Sequence, residues 1–312
     1  MTNRILITGA AGYIGRQLAQ RLAADHDVVG LDIRVPADPP CPIIECDIRD
    51  AQLATICRER GITQIVHLAA VLEDSGDRAR DYDIDVNGTR NVLEACVSAG
   101  VRQLIVTSSG AAYGYHADNP AWLDEKDALR GNPEFAYADH KRAVEALLAE
   151  YRGARPELSQ LIFRPGTVLG AHTDNQITRL FSGRRLLAIT GSDSPFVFIW
   201  DADVVDAILR GIATGARGIY NMAGDGALTI DEIAARLGKP LLRVPAAVVK
   251  AGLWLGHALG LTRHRPSQID FLRYRPVLSN RRLKQEFGFT PAKTSAEVFD
   301  YFFEHARRRA QL

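Results

Sequence analysis

The sequence predicts an α/β fold: a doubly wound parallel sheet with a smaller C-terminal lobe interleaved with it. Three observations point there. A strand, a glycine loop and a helix follow one another at the N-terminus. Short apolar runs then alternate with stretches of helical spacing as far as Gly166, the rhythm of a parallel sheet wrapped by crossover helices. Beyond Gly166 that rhythm changes, with no repeat and no low-complexity linker to mark a boundary. The expected division is therefore 1–165 with about 196–224 as a dinucleotide-binding domain, and about 166–195 with 225–312 as a substrate lobe.

Taken in order, Arg4-Ile5-Leu6-Ile7 reads as a buried strand that runs through Thr8 into Gly9-Ala10-Ala11-Gly12-Tyr13-Ile14-Gly15. Gly9 permits the tight turn, Gly12 lets a pyrophosphate approach the backbone, and Gly15 lets the following helix, 16–24, pack on the strand. The helix N-terminus offers free N–H groups and a positive dipole end to phosphates. A second strand, 28–31, ends at Asp32, at the spacing where a carboxylate accepts both ribose hydroxyls. Strand 43–46 leads to Asp47 and Ile48, placed to hold an adenine by hydrogen bond and apolar contact; the alternative is that Asp47 or Asp50 caps the helix at 51–60. Strand 65–70 ends in Leu68-Ala69-Ala70, small enough at its end for a cofactor to lie against the backbone. His67 within it reads as a packed, hydrogen-bonded histidine.

Val86, Val92, Leu93 and Val97 recur at helical spacing over 85–98, with Asn87 near the start as either a polar clamp on the cofactor or a satisfied core amide. Strand 104–109 delivers Thr107, Ser108 and Ser109 to the carboxyl edge of the sheet, where open α/β sheets bind ligands. A long polar loop, 110–132, follows. Tyr137 and Lys141 are four residues apart at the head of a strong helix and so share a face. A lysine ammonium beside a phenol favours the phenolate, so the pair can exchange a proton with an alcohol or ketone, while Ser109 can hold the same oxygen. Strand 161–166 ends in Arg164-Pro165-Gly166. Further on, Thr229 and Glu232 have the spacing of a capping box.

Composition narrows the field. The chain has 312 residues, 38 Lys and Arg against 37 Asp and Glu, and a net charge of +1, which gives no basis for bulk nucleic-acid binding. Cys41, Cys46, Cys57 and Cys96 form no CxxC pair and read as reduced thiols of a cytoplasmic protein, with no metal site implied. The chain enters its first strand within four residues, so no signal peptide is expected. The most apolar stretch, 244–261, contains Lys250 and His257; it makes a poor membrane span and is expected as a buried or interface helix. Arg307-Arg308-Arg309 reads as a solvated helix end.

These residues together resemble the extended short-chain dehydrogenase/reductases, in particular the NAD-dependent epimerase/dehydratase group. The resemblance rests on Thr8 to Gly15, Asp32, Asp47-Ile48, His67 to Ala70, Asn87 to Ala95, Thr107-Ser108-Ser109 with Tyr113-Gly114, Tyr137 with Lys141, Arg164-Pro165-Gly166, Phe198 to Asp203 and Tyr220-Asn221. It implies a Rossmann domain and a small substrate lobe. Tyr137 would be the general acid/base, Lys141 would bind the nicotinamide ribose and tune Tyr137, and Ser109 would be the catalytic hydroxyl. Tyr13, Ile14, Asn87, Thr107, Arg164, Pro165 and Gly166 would join the glycines, Asp32, Asp47, Ile48 and Leu68 to Ala70 around the cofactor, which Tyr137 and Lys141 would also touch. The family also implies a homodimer formed through the helices that start near Asp85 and Tyr137. Asp32 favours NAD, because a 2′-phosphate would face a carboxylate; Arg34 keeps NADP as the alternative.

Departures from the family pattern bear on the substrate. Gly110 and Ala111 stand where dehydratases of this group carry an Asp-Glu pair, which argues against dehydration. Thr167 stands where nucleotide-sugar members usually carry asparagine. Arg179, Arg184, Arg185, Arg243 and Arg273 are candidates for a diphosphate clamp, each reading more readily as a surface charge, and the apolar segment 245–261 could equally wall an apolar pocket. Two readings follow: a nucleotide-sugar epimerase that recycles its cofactor, or a dehydrogenase or ketoreductase on a non-nucleotide secondary alcohol or ketone, apolar ones included. A non-catalytic dinucleotide sensor would have no need of Ser109, Tyr137 and Lys141.

Overall fold

The computed structural model describes residues 3–193, 195–259 and 269–310. In chain order the first half runs β1 (Arg4–Thr8), α1 (Tyr13–Leu22), β2 (Asp27–Asp32), β3 (Ile43–Glu45), α2 (Gln52–Glu59), β4 (Gln64–His67), α3 (Arg78–Tyr82), a π turn (Asp83–Asn87), α4 (Gly88–Ala99), β5 (Gln103–Thr107), α5 (Ala136–Ala154) and β6 (Ser159–Pro165). The second half runs β7 (Thr167–Leu169), α6 (Gln176–Arg179), β8 (Leu186–Ile189), β9 (Phe198–Trp200), α7 (Asp201–Thr214), β10 (Gly218–Met222), α8 (Ile230–Leu237), β11 (Leu241–Val244), α9 (Ala246–Ala258), α10 (Asp270–Arg273), α11 (Arg281–Gln285) and α12 (Ser295–Ala310).

Seven parallel strands form the central sheet in the order β10-β6-β5-β4-β1-β2-β3. The chain reverses its winding between β1 and β4, which opens a crevice at their carboxyl ends. Both faces of the sheet are covered, which is why the middle of β1, Ile5 to Ile7, is apolar and buried on both sides. Ile5 and Ile7 pack with Leu18 of α1 and Val204, Ile208 and Ile212 of α7. Leu6 packs on the other side with Leu53, Val92, Leu93, Leu147 and Leu148. A separate aromatic core, Phe181, Phe196, Phe198, Phe299 and Phe302 with Ile233 and Val298, holds the lobe together. Two short parallel pairs, β7 with β9 and β8 with β11, carry the lobe's backbone.

Several elements differ from expectation in informative ways. The helix expected from Lys141 begins at Ala136, so Tyr137 and Lys141 both sit in its first turns. The helix expected from Asp85 is interrupted by the π turn before α4 begins. Thr229 and Glu232 do form a capping box at the start of α8. The apolar stretch expected as a buried or interface helix forms α9, and none of its described side chains is buried; residues 260 and 261 of that stretch lie outside the described residues. Arg307 and Arg308 are exposed on α12.

Candidate active site

A cavity of about 820 Å3 occupies the crevice, within the size range of small-molecule sites. Its floor is the glycine loop. Gly9 has φ +72°, and a Cβ there would meet Ala69 N at 2.7 Å, so the loop and the end of β4 touch backbone to backbone. A Cβ at Gly15 would lie 2.1 Å from the Gly9 carbonyl, which only glycine allows. At the end of β2, Asp32 accepts from Ala11 N at 3.0 Å and from Arg34 N at 3.2 Å, which aims its carboxylate at the cavity edge. The Arg34 side chain is exposed.

Asp47 and Ile48 line the cavity after β3. Arg49 donates to both Asp47 oxygens, at 3.0 and 2.7 Å, and holds that carboxyl below its ordinary range. Leu68, Ala69 and Ala70 follow β4 along the wall. His67 at its end is buried between Thr8 and Thr89, at 2.7 and 3.1 Å; burial and then the charge of Lys141 bring its pKa down to about 3, so it is neutral. Asp85, turned inward by the π turn, accepts from Val71 N at 2.8 Å and fixes the loop after Ala70.

Thr107, Ser108 and Ser109 line the next stretch, with Tyr137 and Lys141 from α5. Lys141 is buried, its ammonium 5.6 Å from the centre of the Tyr137 ring. Ser109 accepts from Ala111 N at 3.1 Å, leaving its own O–H to donate into the cavity. Ser108 is buried at the cavity wall with no hydrogen-bond partner for its hydroxyl among the described residues. Tyr13 donates to Asp201 at 2.6 Å and ties the glycine loop to α7; burial, then that carboxylate, push its pKa up to about 12.

Two residues expected at the cofactor lie elsewhere. Arg164 is buried behind the cavity wall, its guanidinium donating to Glu145 at 2.7 and 2.9 Å and to Tyr113 at 2.8 Å. A strand residue between inward-facing neighbours points to the opposite face, so Pro165 and Gly166 line the cavity and Arg164 does not. Asn87 is exposed and donates to Asp83 at 2.8 Å; the π turn rotates it outward, and Arg80, Asp81 and Ile84 of the same segment reach the cavity.

Beyond Tyr137 the cavity extends under the lobe. Tyr115, Phe135 and Phe271 form an aromatic wall with centroids 5.1–5.4 Å apart. Arg275, missed by the sequence reasoning, enters opposite them with its guanidinium 3.8 Å over Phe196. Burial pulls its pKa down to about 9, so it stays a cation at neutral pH. The arginines proposed as clamps stand differently: Arg179 pairs with Glu73 and Asp174 at the cavity mouth, Arg243 with Asp231, and Arg273 with Asp270, while Arg184 and Arg185 are exposed.

The sequence profile of the "NAD dependent epimerase/dehydratase family" matches residues 5–223. The chain belongs to that family. UDP-glucose 4-epimerase of Mycolicibacterium smegmatis is 30% identical over 99% of this chain and 100% of its own length. An Escherichia coli O157:H7 protein, N-acetyl-alpha-D-glucosaminyl-diphospho-ditrans,octacis-undecaprenol 4-epimerase, is 29% identical over 77% of this chain and 73% of its own. Among solved structures, UDP-glucose 4-epimerase of Thermus thermophilus in complex with NAD superimposes with a TM-score of 0.74 at 25% identity, covering 97% of this chain and 99% of that one.

Proposed function

We propose that this family member is an NAD-dependent epimerase acting at a secondary hydroxyl of a nucleotide sugar. One observation carries the reading: Ser109, Tyr137 and Lys141 line the same cavity as the glycine loop and Asp32, with a buried-side cation, Arg275, at the far end. The residues fit the cofactor, since the backbone of Gly9 to Gly15 offers close approach, Asp32 points to the cavity edge and Ser108 lacks an acceptor. Bound NAD supplies a reversible two-electron acceptor. Tyr137 takes the proton from the sugar hydroxyl and returns it, Lys141 stabilises the phenolate, and Ser109 donates to the same oxygen. Arg275 faces the diphosphate. Dehydration is disfavoured by residue type, since Gly110 and Ala111 carry no carboxylate.

Pairing of α4 and α5 with a second copy belongs to the same reading. The aromatic wall of Tyr115, Phe135 and Phe271 favours a second one, a dehydrogenase or ketoreductase for an apolar alcohol or ketone. Mass spectrometry of the small molecule released on denaturation, followed by calorimetric titration with UDP, GDP and dTDP, separates the two. Retained NAD with binding of one nucleoside diphosphate is expected. A protein that takes up added NAD but ignores all three nucleotides supports the dehydrogenase.

A further inference from the structure

Helix α9 stands apart from the rest of the fold. Its half-buried positions, Val249, Leu253 and Gly256, face the protein at helical spacing, and the opposite face presents Ala247, Val248, Ala251, Trp254 and Leu255, all exposed. Val248 is 58% exposed, Trp254 65%, Leu255 54%, and Leu259 just past the helix 62%. A helix this apolar on its outer side is covered by something in use. β11 leads through Pro245 into α9, and on it Leu242 is the register partner of Leu187 of β8, both exposed.

Charge selects the cover. From 233 to 269 the sequence holds six Lys and Arg and no Asp or Glu, which leaves 32 cations against 37 acids in the rest of the chain. Asp300 and Asp231 neutralise Arg236 and Arg243, while Lys250 at the edge of the apolar face is exposed, as are Arg184 and Arg185 just before Leu187. An apolar face edged by cations, with a tryptophan within it, matches the boundary between anionic headgroups and acyl chains. A second copy of this chain fits worse, because a two-fold contact through this face would bring Lys250, Arg184 and Arg185 toward their own copies. Thirteen residues rise only about 20 Å, short of the roughly 30 Å hydrocarbon layer, so the helix lies in the surface and does not cross it.

We infer that α9, with Leu187 and Leu242, docks this protein on an anionic lipid bilayer. Docking there sets the substrate end of the cavity beside the membrane. A small groove lined by Leu180, Leu187 and Leu272 adjoins it and shares Phe196 and Arg275 with the cavity wall.

The test is flotation of the full-length protein with vesicles of phosphatidylcholine alone and with roughly 30% phosphatidylglycerol added. Binding at least about tenfold stronger to the anionic vesicles, falling as salt is raised, is expected. Trp254→Glu with Leu255→Glu should weaken it by about tenfold or more while leaving the melting temperature unchanged, since both side chains are exposed. No vesicle binding, equal binding to neutral vesicles, or full binding by the double variant overturns the inference. So does a wild-type dimer that the double variant dissolves without any vesicle binding, which assigns the face to a second copy.

Discussion

The placement of Arg164 makes a quantitative claim about stability and about the cofactor. Its side chain and that of Glu145 are each 4% exposed, and the guanidinium makes four hydrogen bonds: two to Glu145, one to Tyr113 and one to the Glu125 carbonyl at 3.3 Å. Replacing Arg164 by methionine keeps the volume and leaves the Glu145 carboxylate buried without a counter-ion. Breaking such a pair from one side costs about 3–5 kcal/mol, a large part of a typical stability of about 5–15 kcal/mol. Glu145→Leu alone should cost a similar amount, because the cation is then stranded. The double variant Arg164→Met with Glu145→Leu should recover most of the loss, since neither charge remains to be solvated. Urea unfolding of the four proteins gives the cycle, and calorimetry gives their NAD affinities. A loss below about 1 kcal/mol for Arg164→Met, together with a tenfold drop in NAD affinity, would refute the reasoning and return Arg164 to the cofactor.

Other outcomes follow from the same geometry. Tyr137→Phe should abolish turnover and leave NAD affinity nearly intact, and near-normal rates would remove Tyr137 from the proton transfer. Asp32→Ala should weaken NAD more than NADP, since its carboxylate is the group a 2′-phosphate would meet; an unchanged preference in paired titrations counts against that role. Gly15→Ala should eliminate dinucleotide binding, because the added methyl carbon lands 2.1 Å from the Gly9 carbonyl, and retained binding would show that the loop yields. His67 has a folded pKa of about 3 against an ordinary 6.5, so the unfolded chain binds a proton that the folded one refuses as pH falls between those values. Stability should decline over that window by about 1.4 kcal/mol per pH unit from this residue, and His67→Gln should flatten the urea midpoints there; parallel pH curves for the two proteins contradict the assignment.

Much of the site was legible because its signals are local. The glycines of the loop, the acid after β2 and the Tyr137–Lys141 pair depend on spacing within one or two turns of chain, and all line one cavity. The small residues after β4 were readable for the same reason. Arg275 was not, because its position is set by Phe196 and Phe271, which come from different segments of the lobe. Asn87 does not line the cavity; a π turn changes which residues of a helix share a face, and spacing alone assumes regular turns. The partners of Arg164, Glu145, Tyr113 and Glu125, were not readable because they lie on separate segments that meet only once the sheet is covered. The lobe's pairing of β8 with β11 joins segments too far apart for any pattern in either to announce it.

The outermost strand of the sheet, β10, has a consequence for how the chain is made. It hydrogen-bonds to β6, yet it leaves the ribosome only after β7, β8 and β9 of the lobe have been synthesised. Until then the edge of β6 is open, its carbonyls and amides a template for any passing strand. A nascent chain halted before Gly218 therefore carries a nearly finished sheet with one sticky border, and the lobe segment emerging next to it has to wait unpaired. Truncations that seem to spare the cofactor half should aggregate, and the shortest fragment that folds should end beyond Met222.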